Sequence, residues 1–305
     1  MRSLPHRAMA GRDPANHASV STALSSIAMD PRVKREGDES GIVWGTVMSE
    51  FKLNRRRKAE FLKQHLVCCF CGGNTPATTV DHVPSRQMFS LRRRPKGLEV
   101  PACECCNRAT ASHEQVAAML GRIYPDGPTE VEREEMRRIM DAVNTNVPGL
   151  LEEMIASFRQ QERFVRANIT LPGVGGVLNV SGPLLNRSIQ AFGAKLGFAL
   201  HYAMTGAIVP RAGGVAVRWF SNFERLTGEI PADLFRILGQ PQTLRQGKWG
   251  AGDQFSYAFA ISENSEMAAY FSTFRKSFAV LSWVSEDVAA FASSANVKVH
   301  RPGQF

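Results

Sequence analysis

The chain has 305 residues, with 37 Lys and Arg against 28 Asp and Glu and a formal net charge of +9. That length allows about two domains with sizeable cores, and the basic balance favours a polyanionic partner such as nucleic acid over an acidic small molecule. All six cysteines, at 68, 69, 71, 103, 105 and 106, fall within 39 residues, which excludes the widely spread disulfide framework of a secreted protein and points to a reducing, cytoplasmic setting.

Residues 1–47, rich in Ser, Ala, Arg and Pro with no apolar period, are expected to be a disordered N-terminal extension, with Met48 followed at once by a helix. In FKLNRRRKAEFLKQHL, from Phe51 to Leu66, Phe51, Ala59, Leu62 and Leu66 share one side of a helix and a basic block takes another. The zinc domain expected over 48–125 holds every cysteine and ends in the helical pattern HEQVAAMLGRIY, closed by Pro125. A charged helical connector follows over 126–160, interrupted at Asn146-Val147-Pro148-Gly149. A separate domain over 161–305 should begin with a glycine-turn hairpin in RANITLPGVGGVLNVSG and a long helix from about Leu184 to Met204. The apolar run LGFALHYAMTGAIVP in and beyond that helix is preceded by Lys195 and contains His201, short of the roughly 18 clean apolar residues of a membrane span. VAVRWF, FSYAFAI and FAVLSWV read as strands, so the fold class expected is α+β with an antiparallel sheet.

Cys68-x-x-Cys71 and Cys103-x-x-Cys106 are two pairs at the spacing that lets a tight knuckle offer two thiolates to a tetrahedral ion. Zinc is the expected occupant, and with four thiolates it keeps no open coordination position, so it holds shape only. The 31 residues between the pairs exceed a compact ribbon, so something is inserted there. Cys69 and Cys105 fall outside the ligand set.

Within the insert, TTVDHVP reads as a short strand ended by Pro84. Neighbours on a strand point to opposite faces, so Asp81 and His82 have separate tasks. CCFC, TTVDHVP, and VPACECCN with the following SHEQV together resemble the HNH endonuclease family, over about residues 66–118. The resemblance implies a ββα-metal fold, a β-hairpin followed by a helix around one catalytic metal and braced by a four-cysteine zinc. It implies that His82 is the general base for phosphodiester hydrolysis, and that Asp81 and Asn107 hold one divalent magnesium or manganese ion. Leu98 stands where such proteins commonly carry an Asn that helps orient the catalytic His, and Thr110 where a Lys is frequent.

If one helix starts near Cys106, His113 lies about 240° around it from Asn107, whereas Glu114 falls near Asn107's face. Both are candidates: His113 as a ligand or phosphate contact, Glu114 for the metal or its water. Between Phe51 and Lys96, 11 Lys and Arg oppose two acids, so the excess matches the +9 of the whole chain. Arg92, Arg93 and Arg94, in the insert, are the expected phosphate contacts. A DNA endonuclease is the leading expectation. The alternative is a zinc module that binds nucleic acid or a protein without cutting; a zinc deaminase fails because its His-x-Glu and Pro-Cys-x-x-Cys pieces are missing.

Overall fold

A computed structural model describes residues 50–123, 129–155, 178–226, 228, 230–291 and 298–305. The expected N-terminal extension, and the expected hairpin as far as residue 177, lie outside these residues. Helix α1 (Glu50–Gln64) leads into the first knuckle, where the Cys68 amide donates to Thr75 and the Gly73 amide to Cys68. Strands β1 (Thr79–His82) and β2 (Glu99–Ala102) pair antiparallel, from Thr79↔Ala102 to His82↔Glu99. The chain then turns into α2 (Glu104–Ala109) and α3 (Ala111–Leu120). Cys103 caps α2, its sulfur accepting from the Cys106 amide.

Helix α4 (Glu130–Asn146) begins at a capping box, Thr129 and Glu132 satisfying each other's backbone amides. It stops at the Val147-Pro148-Gly149 signal, and α5 (Leu150–Glu153) follows a Gly149 with φ of 84°. Helix α6 (Pro183–Thr205) runs from a proline in its first turn to a left-handed Gly206, matching the expected long helix. Beyond it come β3 (Gly214–Ser221), α7 (Asn222–Leu226), α8 (Ala232–Ile237) and a small ribbon of β4 (Arg245–Gln246) and β5 (Trp249–Gly250). Strands β6 (Phe255–Ile261), β7 (Met267–Phe274), β8 (Phe278–Ser285) and β9 (Val299–His300) complete a five-stranded antiparallel sheet in the order β6-β7-β8-β3-β9. The fold is α+β, as expected; the sequence reading passed over β7 and the two-residue strands β4, β5 and β9.

Helix α6 is the middle layer. A Cβ at Gly193 would stand 2.6 Å from Val217 and one at Gly197 2.7 Å from Val215, so two bare positions a turn apart let the helix settle on β3 and β8. Lys195, between them in sequence, projects from the other side of the helix towards β1 and α3. One hydrophobic core runs through these layers, from Phe70 of the knuckle through Val116 and Met119 of α3 and Phe192 and Phe198 of α6 to Val215 and Val280 of the sheet. A second cluster, including Phe220, Leu234 and Leu281, fills the sheet's far face. The C-terminal residues return to the first knuckle: the Gly303 amide donates to Phe70 O at 2.7 Å, and the Phe305 ring packs edge-on against Phe70 and Phe198. The segments expected as separate domains therefore share one core, because a knuckle and two short helices cannot cover Phe70 and the apolar face of α3 alone. Among the described residues no helix is long and apolar enough to cross a membrane.

Candidate functional site

The structure brings Cys68, Cys71, Cys103 and Cys106 together, with ligand atoms all within 4.8 Å of one another. Zinc–sulfur bonds of about 2.3 Å would set tetrahedral sulfurs about 3.8 Å apart, so the four thiols fit a zinc ion after a small contraction. The Phe70 and Cys106 amides each point at a cysteine sulfur from 3.4 Å, as thiolates require. The hydrogen bond between Cys68 and Cys106 lowers the Cys68 thiol and raises that of Cys106, so the proton between them belongs to Cys106. Cys69 is buried outside the cluster and its thiol is pushed up by that burial, while Cys105 is exposed.

Asp81 and His82 do face opposite ways. Asp81 is buried and lies 2.6 Å from the Lys195 ammonium, which also contacts Glu114. All three side chains are almost wholly enclosed, and the ammonium stands 5.4 Å from the centre of the Phe70 ring. Burial raises the Glu114 carboxyl above the usual carboxylate range, while its two acids outweigh burial and raise Lys195. The arrangement is an acid–base–acid trio with one cation for two acids, sealed between β1, α3 and α6.

Such a site does not fit the expected divalent ion. One oxygen of the Asp81 carboxylate, Oδ2, already stands 2.6 Å from an ammonium. Asn107 is half-buried on α2. Among the described residues, the four cysteines are the only group of three or more Cys, His, Asp or Glu near enough to share an ion.

His82 looks outward, half-buried, with Arg86 Nη2 at 3.3 Å from its Nε2 and Glu99, its partner across the β1–β2 ladder, at 4.0 Å from Nδ1. A guanidinium has donors only, so Nε2 must be the accepting nitrogen, and a neutral ring then carries its proton on Nδ1, towards Glu99. Burial, reinforced by Arg94, holds the imidazole below its ordinary pKa, so the ring is neutral at neutral pH. The side chains expected around it divide. Arg92 and Arg93 are exposed. Arg94 turns inward, donating from Nε to Pro84 O at 2.7 Å and from its terminal nitrogens to Pro95 O at 2.9 Å and Gly97 O at 2.6 Å. It closes the loop between β1 and β2, and burial lowers it to about 10, leaving it charged.

His113 and Glu114 do not follow one helix from Asn107. Thr110, fully buried, breaks the run into α2 and α3, its hydroxyl lying within 3.5 Å of both Cys106 O and Glu114 Oε1. Glu114 reaches Lys195, while His113, neutral because burial and then Arg187 and Lys298 disfavour its proton, is turned to a different environment. Leu98 adopts φ of 49°, the left-handed region that Asn enters more readily than most other non-glycine residues. It still receives the Val83 amide at 3.1 Å, so the backbone bond beside His82 does not depend on an Asn side chain. Sequence reasoning missed Lys195, Arg86 and Glu99. A charged residue amid the apolar FGAKLGFAL was the available signal for the first; the other two become visible only once the strands are paired.

Set against known protein families, curated proteins and solved structures, the chain matches none of them.

Proposed function

We propose that the protein is a cytoplasmic nuclease of HNH type that acts on DNA, with its ββα segment braced by zinc and His82 as general base. The observation that carries this reading is the outward imidazole: neutral, with Nε2 as the acceptor, beside Arg86 and at the edge of the basic segment. A phosphate arriving there draws the Arg86 guanidinium onto its own oxygens, which frees the Nε2 lone pair to take a proton from water. Arg92 and Arg93, exposed on the loop leading away from His82, neutralise neighbouring phosphates.

Magnesium or manganese on Asp81 and Asn107 would require Lys195 to leave Asp81, so metal dependence is itself an outcome to be measured. The Asp81–Lys195 pair favours a second reading, in which the zinc-braced segment binds nucleic acid without cutting it. A nicking assay on supercoiled plasmid with magnesium, manganese or EDTA decides between them. Cutting is expected in the wild type and a loss of at least about a hundredfold in His82→Ala, the lower end of a general base's usual contribution. No cutting under any of the three conditions leaves the binding module; equal cutting by His82→Ala removes the base assignment.

A further inference from the structure

A cleft of about 750 Å³ opens beside the β1–β2 hairpin, within the size range of sites for small organic ligands. One wall is aromatic. The Phe61 and His65 rings of α1 lie 4.2 Å apart, His65 Nδ1 is 2.5 Å from the Tyr202 hydroxyl of α6, and Tyr257 of β6 continues the lining. The lining is also basic, with Lys96 of the insert loop and Arg245 of the β4–β5 ribbon, both exposed. Glu99 and Thr243 add hydrogen-bonding groups to the lining. Glu99 is also the residue facing His82 across the hairpin, so the cleft and the His82 site meet at one side chain.

Aromatic rings and exposed cations lining one cleft are what a nucleobase and its phosphate require, and a base can enter it only where it is not stacked in a duplex. A purely apolar ligand would leave Lys96, Arg245 and Glu99 without a task. An acidic metabolite would leave the ring wall without one. We infer that this cleft binds an unpaired nucleotide of a nucleic-acid strand whose adjoining phosphate lies at His82. The inference rests on the proposed nuclease reading for the position of that phosphate, but the cleft's own binding does not depend on cutting.

The test is fluorescence anisotropy with a fluorescein-labelled single-stranded five-nucleotide oligo(dT), run in EDTA so that no cutting intervenes, on the full chain with its zinc bound. The comparisons are a fluorescein-labelled duplex long enough to stay fully paired and unlabelled thymidine monophosphate as competitor. Lys96→Glu combined with Arg245→Glu should weaken the single strand at least tenfold. Tyr202→Leu, which removes a ring and no charge, should weaken it at least about fivefold, the lower bound for one base–aromatic stack, while leaving duplex binding unchanged. Thermal melting of each variant separates lost binding from lost fold, and the exposed charge pair stands if the tyrosine variant does not. Displacement of the oligonucleotide by the monophosphate would mark the single nucleotide as the unit recognised; displacement only by a strand would mark the strand. Unchanged binding in stable forms of both variants, or no binding by the wild type, overturns the inference. Variants that bind normally in a wild type that nicks plasmid would sink the cleft and spare the nuclease. Loss of binding in the variants of a wild type that never cuts would do the reverse.

Discussion

An acid and an imidazole that are neighbours in the sequence end in opposite surroundings because a strand alternates its faces. Asp81 turns into the space between β1, α3 and α6, where Lys195 meets it, and His82 turns to the basic surface. Lys195→Met should therefore do more than lose a charge. It leaves Asp81 and Glu114 enclosed together with no cation, and removing one partner of a buried pair costs about 3–5 kcal/mol. The sign with pH follows from Glu114, whose folded-state pKa already stands above its ordinary value because of burial. A group shifted that way stabilises the fold below its unfolded pKa and loses that contribution as pH rises through the folded one. In the variant a proton on Glu114 stands in for the ammonium, so the stability deficit should be smallest near pH 4 and grow towards pH 7. Urea melts of wild type and variant at the two pH values read this directly, and an equal deficit at both would contradict the pairing.

On the scale of elements, α6 joins the two halves of the fold through two different surfaces. Gly193 and Gly197 seat it on the sheet, and Gly197→Ala would place a methyl 2.7 Å from Val215 and 2.9 Å from Ser282. Overpacking of that kind costs about 1–3 kcal/mol, although alanine is otherwise the better helix former. A lowered Tm in Gly197→Ala would show that the close approach to β3 and β8 outweighs the gain in helix propensity. The helix itself was legible, since its apolar run and flanking Pro183 and Gly206 mark both ends. So were β3, β6 and β8, which carry aromatic and β-branched residues, and the cysteine cluster, whose two-residue spacings state the ligand set. Strand β7, MAAYFSTF, was not, although Tyr270, Phe271, Thr273 and Phe274 favour strands: paired between β6 and β8 it is buried on both of its faces, so no apolar–polar alternation marks it. The break at Thr110 was equally hidden: nothing local ends α2 there, and its buried hydroxyl answers to Glu114, which tertiary packing brings near. What the sequence lacked at the candidate site was distance along the chain. Lys195 lies 81 residues from Glu114, and no local pattern announces such a pairing.

For the whole molecule, the cysteine knuckles and the sheet should not unfold independently. Phe70 sits between the two cysteines of the first knuckle and is fully buried in the core that continues through α6 to β3 and β8. The C-terminal Gly303 and Phe305 close over it, so the last residues of the chain stand on the first cysteine pair. Four cysteine sulfurs released from an ion leave three buried side chains, Cys68, Cys103 and Cys106, without the bonds that define their positions, and the Phe70 backbone moves with them. Chelation of the metal is therefore expected to lower the melting of the sheet as well as that of the knuckles, in one cooperative step. Near-ultraviolet circular dichroism of Trp219 and Trp283, which lie on β3 and β8, reports the sheet, and released zinc read with a chromogenic chelator reports the knuckles. Coincident transitions in both signals are the expected result, with Cys106→Ser shifting the two together. A sheet signal that stays put while zinc leaves would show that the two segments stand on separate cores, against the continuous packing through Phe70, Phe198 and Val215.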